Sequence, residues 1–202
     1  MHARTREELT HYLACHPGEH ERLHALREQI AHDDGLFNRA NMAGHITSSV
    51  LVFDTDRSHV LLIHHKVYRS WMQPGGHVEP DSASLFESGL REVEEETGLP
   101  AANTQPLRDG RALDIDTHAI AARPAKGEGA HRHHDFLFAV VATRPFAPRP
   151  QLEEVNGVEW MPIADFLAIP GRRMRHLVPK LRVLLDPAPA AAPRNAPFDP
   201  NR

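Results

Sequence analysis

The glycine pair Gly75-Gly76, followed at close range by Glu92, Glu95 and Glu96, constrains this chain more than any other feature. Ser84 and Glu87 form a Ser-x-x-Glu capping box that predicts a helix start just before the run Leu85 to Leu99. On such a helix, residues three and four apart are surface neighbours, so the three glutamates share one face. Like charges at this spacing weaken an isolated helix by a few tenths of a kcal/mol per pair. A cation held by oxygen ligands, Mg²⁺ or Mn²⁺, is the economical reason to crowd them.

The segment Gly75 to Leu99 resembles the Nudix box, Gly-x5-Glu-x7-Arg-Glu-U-x-Glu-Glu-x-Gly-U, where U is aliphatic. Arg91, Glu92, Val93, Glu95, Glu96, Gly98 and Leu99 stand at the fixed positions of its second half. In the first half, one residue is inserted between Gly76 and Arg91, and the early glutamate is replaced by the run Asp81-Ser82-Ala83. The insertion is assigned to the turn ahead of the helix, where a loop absorbs it and leaves the carboxylate face intact. The resemblance covers roughly residues 44 to 170 and implies a Nudix-type α/β/α sandwich with a mixed sheet.

Composition narrows the alternatives. A chain of 202 residues suits one domain with appendages. No apolar run approaches bilayer length, and the start Met1-His2-Ala3-Arg4 has no apolar leader, so neither a membrane partner nor export is expected. Cys15 is the single cysteine, which excludes an intrachain disulfide and fits a reducing cytoplasm. The net charge of −4, with no long basic block, argues against duplex nucleic acid as a partner. Sixteen histidines are unusual and suggest a surface charge responsive to mild acidification.

Along the chain, residues 5 to 33 read as a helical hairpin broken at His16-Pro17-Gly18, with Leu9, Tyr12, Leu13, Leu23, Leu26 and Ile30 as its apolar faces. Two short helices bury too little area to stand alone, so the hairpin must pack on the main domain or on a second copy, making a homodimer an open expectation. Strands are expected at His45 to Asp54 and His59 to His64, joined as a hairpin, and at Ala112 to Ile120, His131 to Thr143 and Val155 to Met161. A helix is expected over Ile163 to Leu167, then a basic helix over 172 to 185 interrupted by Pro179. The resulting division is an N-terminal helical extension (1–43), a Nudix domain (44–170), a C-terminal helix (171–186) and a disordered Pro/Ala-rich tail (187–202).

By resemblance, Glu92, Glu95 and Glu96 hold the metal with the Gly75 carbonyl. Arg91, four residues before Glu95, braces that carboxylate. Glu95 is the first choice for the general base, with Glu128, Glu153 and Glu154 as loop alternatives. Leu90 and Val93 are assigned to the core, and Gly98 to a left-handed helix end. For substrate contacts the candidates are His77, Lys66, Arg69, Asp116, His131 and His133, with Trp71 as a stacking surface. Asp114, Asp116 and His118 alternate on one strand, as do His131, His133 and Asp135 on another. Each trio therefore lies on one sheet face, where it lines a pocket for phosphate, base or a further metal, or else simply forms a polar surface.

The activity implied is hydrolysis of a diphosphate linkage in a small nucleoside diphosphate derivative by Mg²⁺-activated water. One alternative is a non-catalytic nucleotide-sensing Nudix domain, favoured by the altered first half of the box. Another is suggested by Gly76-His77, since isopentenyl-diphosphate isomerases resemble Nudix proteins and use a histidine after a glycine for metal. Those enzymes have a cysteine where this chain has Gly75.

Overall fold

The computed structural model describes residues 1–32, 35–79, 81–124 and 127–186. The expected disordered tail, 187–202, and the last residue of the expected hairpin, 33, lie outside them. Eight strands form one mixed sheet: β1 (His45–Phe53), β2 (His59–His65), β3 (Ser70–Met72), β4 (Gly75–His77), β5 (Thr104–Pro106), β6 (Asp114–Ile120), β7 (His131–Ala142) and β8 (Val155–Pro162). Around it lie α1 (His2–Cys15), α2 (His24–His32), α3 (Leu85–Thr97), α4 (Ile163–Ala168) and α5 (Arg172–Leu185).

The apolar runs of β1 and β7 dictate the centre, because strands covered on both faces need both sets of alternating residues buried. All nine residues of β1 are buried, and β1 runs parallel to β7 from His45↔His133 to Phe53↔Val141. One face, with Ile46, Val50, Val52, Phe136, Phe138 and Val140, packs against α1, α2 and α3. The other, with Leu51, Phe53, Leu137 and Ala139, packs against Phe166 of α4 and Leu177 and Leu181 of α5. The fold is thus the expected α/β/α sandwich with a mixed sheet and an N-terminal helical hairpin, and that hairpin packs on the sheet.

Two strands divide their partners, which opens the sheet where the site lies. β1 pairs with β4 through Thr47↔His77 to Ser49↔Gly75, and with β2 only at Val52↔Leu61 and Phe53↔Val60. β7 pairs with β6 over its first half and with β5 over its last residues. The short strands β3, β4 and β5 fall in segments the sequence pattern leaves as loops, since three residues carry no readable period.

α5 corrects one expectation: it continues through Pro179 from Arg172 to Leu185. Proline removes one helix hydrogen bond, but Leu177 and Leu181 flank it and are buried against the sheet, which holds the segment helical. None of the helices among the described residues is long and apolar enough to cross a membrane.

α3 is seated by a close approach at Gly89. A Cβ there would stand 2.7 Å from Ser48 Oγ and 2.8 Å from Val50 Cγ2. Alanine normally strengthens a helix interior by about 1 kcal/mol over glycine, whereas overpacking costs about 1–3 kcal/mol. Gly89→Ala is therefore expected to lower the denaturant midpoint, and a raised midpoint would show that α3 has room to move off the sheet.

Candidate active site

The Ser84 hydroxyl accepts a hydrogen bond from the Glu87 N–H at 3.1 Å, fixing the start of α3. Gly98 ends the helix in the left-handed region, φ 73°. Val93 and Leu90 are buried as expected, and the adjoining side of the helix carries Glu92 and Glu96 towards β4. Glu96 is 3 % exposed and accepts the Gly75 N–H at 2.9 Å. Glu92 is 9 % exposed and lies against Gly76, where a Cβ would come within 2.6 Å of its carboxylate. At Gly75 a Cβ would meet Ser49 at 2.5 Å. Both glycines are thus required by close packing between β1, β4 and α3.

Arg91 bridges the face as anticipated and more widely. Its guanidinium donates to Glu95 at 2.5 Å, to Glu92 at 2.6 Å and to the His77 carbonyl at 3.2 Å. Glu95 stands at the open edge, with half of its side chain exposed. Burial, with the neighbouring carboxylates adding to it, pushes Glu92 up to about 7 and Glu96 up to about 8. These acids sit where ionisation is penalised in the absence of a further cation. The three carboxylates do not themselves converge on one point: Arg91 holds Glu95 and Glu92, and the Gly75 N–H holds Glu96.

The glutamates line one wall of a cleft of about 750 Å³. His77, Lys66, His131 and His133 line it too, together with His45, His118, Asp135, Glu128, Glu153 and Glu154. Arg69, Asp116 and Trp71 are not among its walls. The aromatic side chain that borders the cleft is Tyr68, with the Arg123 guanidinium 4.8 Å from its ring centre. Lys66 donates to the carbonyls of Leu152 and Glu153, tying the loop before β8 to the cleft rim.

The six alternating polar residues are brought together by the β6–β7 register, in which Asp116 faces Asp135 and His118 faces His133. They then separate in role. His118, His131, His133 and Asp135 reach the cleft, whereas Asp114 and Asp116 are covered by cations. Asp114 pairs with Lys180 at 2.6 Å and Arg22 at 3.2 Å, and Asp116 with Arg22 and Arg172. Arg173 pairs with Asp135 at 2.6 Å, and Thr47 and Ser49 also donate to that carboxylate. Sequence reasoning missed these cations, because the turn before α2, which carries Arg22, and α5 approach β6 only in three dimensions.

It also missed His45, which the parallel register sets opposite His133. The donor nitrogens of His45, His131 and His133 all lie within 4.8 Å of one another, and no other such trio of His, Cys, Asp or Glu occurs among the described residues. Burial lowers His45, and burial reinforced by the neighbouring imidazoles lowers His77 to about 4 and His133 to about 2. Burial thus opposes charging of His77 and His133 in mild acid.

The NUDIX domain model matches residues 44–181, and the chain belongs to that family. Among solved structures, an Ap4A hydrolase from C. elegans in a binary complex aligns with TM-score 0.55 and 17 % identity over 69 % of this chain and 96 % of its own. The NUDIX domain of Shewanella oneidensis NrtR, complexed with ADP ribose, aligns with TM-score 0.50 and 22 % identity over 78 % of this chain and 96 % of its own. The E. coli dihydroneopterin triphosphate pyrophosphohydrolase aligns with TM-score 0.53 and 14 % identity over 69 % and 94 %. No curated protein matches the sequence.

Proposed function

We propose that this chain is a Mg²⁺-dependent hydrolase of a diphosphate linkage in a small nucleoside diphosphate derivative. The observation that carries this reading is the pair of buried carboxylates, Glu92 and Glu96, packed against Gly75-Gly76 on the wall of an open cleft. Their oxygen-only donor set fits Mg²⁺ or Mn²⁺, with Glu95 and the Gly75 carbonyl completing it. When bound, the ion neutralises phosphate oxygens and lowers the pKa of a water.

The chain's own residues account for the rest. Glu95, at the open edge, accepts the proton of the attacking water. As the water oxygen bonds to phosphorus, the anhydride P–O bond breaks and the second phosphate leaves with the electron pair. Arg91 holds Glu95 in place through its 2.5 Å contact. Arg39, Lys66 and Arg123 supply positive charge along the cleft, and Tyr68 offers an exposed ring to a base.

Incubation with Mg²⁺ and a panel of ADP-ribose, dinucleoside polyphosphates, nucleotide sugars and nucleoside triphosphates tests the proposal. Cleavage at a diphosphate linkage, with ¹⁸O from water in one phosphate product, is expected. Binding without product would instead indicate a nucleotide sensor. The isomerase alternative needs a cysteine at the site, and Cys15 is exposed at the end of α1, outside the cleft walls.

The elevated carboxyls make a further prediction. A group whose folded pKa lies above its unfolded value of 4.5 favours the folded state while protonated, and that contribution fades as pH rises through about 7 to 8. Metal-free protein should therefore lose stability between pH 4.5 and 8, and Mg²⁺ should restore more melting temperature at pH 8 than at pH 5.5. An equal Mg²⁺ shift at both pH values in thermal melts would count against cation binding by these two groups.

A further inference from the structure

We infer that His45, His131 and His133 form a second metal centre in the same cleft, one that takes a divalent first-row transition ion of the zinc type through three imidazoles. The inference does not depend on the proposed hydrolysis. The parallel β1–β7 register sets His45 beside His133, and the alternation of β7 puts His131 on the same face. Their rings gather with centroids 4.7 to 5.0 Å apart, and each residue contributes a nitrogen to a trio spanning no more than 4.8 Å.

Hydrogen bonds decide which nitrogens face inward. His45 Nδ1 lies 3.2 Å from the Asn41 carbonyl, and His131 Nδ1 lies 2.8 Å from the Gly129 carbonyl. A carbonyl only accepts, so each Nδ1 carries the proton and each Nε2 presents a lone pair. Backbone acceptors behind Nδ1 are the usual outer support of metal-binding histidines, fixing ring orientation and tautomer. The Nε2 atoms of His131 and His133 stand 3.2 Å apart. Ligands about 2.0–2.1 Å from a tetrahedral zinc ion are separated by about 3.3 Å, so this pair already stands at coordination spacing.

The donor chemistry separates this centre from the box. Imidazole suits zinc, iron, nickel and copper, whereas magnesium prefers oxygen and dehydrates reluctantly. Within one cleft the chain thus offers an all-nitrogen trio beside an all-oxygen set. His77 borders both: its Nε2 is 3.1 Å from His45 Nε2, and its carbonyl accepts from Arg91. Three protein ligands leave the fourth position of the ion open, the arrangement found where a metal binds water or substrate.

X-ray absorption on the tag-free, unmutated chain, stripped by chelation and loaded with one equivalent of Zn²⁺ in excess Mg²⁺, reads the centre directly. A shell of about three nitrogen scatterers at about 2.0–2.1 Å with imidazole outer-shell features is expected. An oxygen-only shell, or no retained zinc, would overturn the inference. Co²⁺ titration followed by visible absorption gives a second reading. The His131→Ala/His133→Ala double variant should lose the ligand-field band while Glu95→Gln keeps it. Retention of the band by the histidine double variant, or its loss from Glu95→Gln alone, would assign the ion to the glutamates and contradict the assignment.

Discussion

Glu92→Gln and Glu96→Gln should each cut Mg²⁺-dependent turnover by roughly 10²- to 10³-fold, the scale seen when one preorganised electrostatic group is removed, while making the metal-free protein more stable. The two effects have one cause. Burial raises these carboxyls to about 7 and about 8, so at pH 8 the fold carries ionised groups it would prefer neutral. Glutamine keeps the shape and an acceptor for the Gly75 N–H without the charge. Glu92 alone, shifted from 4.5 to about 7, represents a penalty on the order of 1–3 kcal/mol. Steady-state kinetics and chelated thermal melts at pH 8 measure both sides. A variant that lost activity and also melted earlier would show the carboxylates to be structural.

The second large effect lies beneath the sheet edge. Asp114 is fully buried and pairs with Lys180, Arg22 and Arg173, with the Tyr12 hydroxyl oxygen 3.1 Å away. Breaking a buried ion pair from one side leaves charge without compensation and costs about 3–5 kcal/mol. Asp114→Asn should therefore destabilise the protein by about that amount, read by chemical denaturation, whereas a loss well under 1 kcal/mol would mean that Glu19 and Asp135 satisfy the cations without it.

The same network sets the acid limit of the fold. Burial opposes ionisation of Asp116 and Glu19, but the His118 contact and the arginines around Asp116, and the Lys180, Tyr12 and Arg22 bonds to Glu19, outweigh it. Both are held at about 2. Asp135 is likewise lowered by Arg173 and Ser49 against the effect of its burial. Folded values below the unfolded ones contribute stability above about pH 4.5 and lose it as pH falls towards 2.

Local rules made much of this legible. The capping box, the Gly98 terminus, the Arg91–Glu95 contact and the burial of Leu90 and Val93 follow from spacing on one helix. The strands β1 and β2 follow from their runs of Val, Ile and Leu. The amphipathic hairpin read correctly because Leu9, Tyr12 and Leu13 recur at helical intervals. What depends on pairing between distant strands was not readable: His45 joins the histidines only through the parallel β1–β7 register. Nothing in the pattern of Asp114 and Asp116 reveals that the turn before α2 and helix α5 bring arginines and a lysine to cover them. Arg69 and Trp71 looked suited to a ligand because they precede the glycines, but within that segment it is Tyr68 and Met72 that line the cleft, while Trp71 meets His64 of β2 edge-on.

The central claim is that Glu92, Glu95 and Glu96 close around a divalent cation facing a diphosphate. Anomalous diffraction from a crystal soaked with Mn²⁺ and a non-hydrolysable nucleoside diphosphate analogue tests it most directly. The account predicts a manganese peak between these carboxylates and the Gly75 carbonyl, with the bridging phosphates on its cleft side. Manganese absent from that position while the analogue fills the cleft would contradict it.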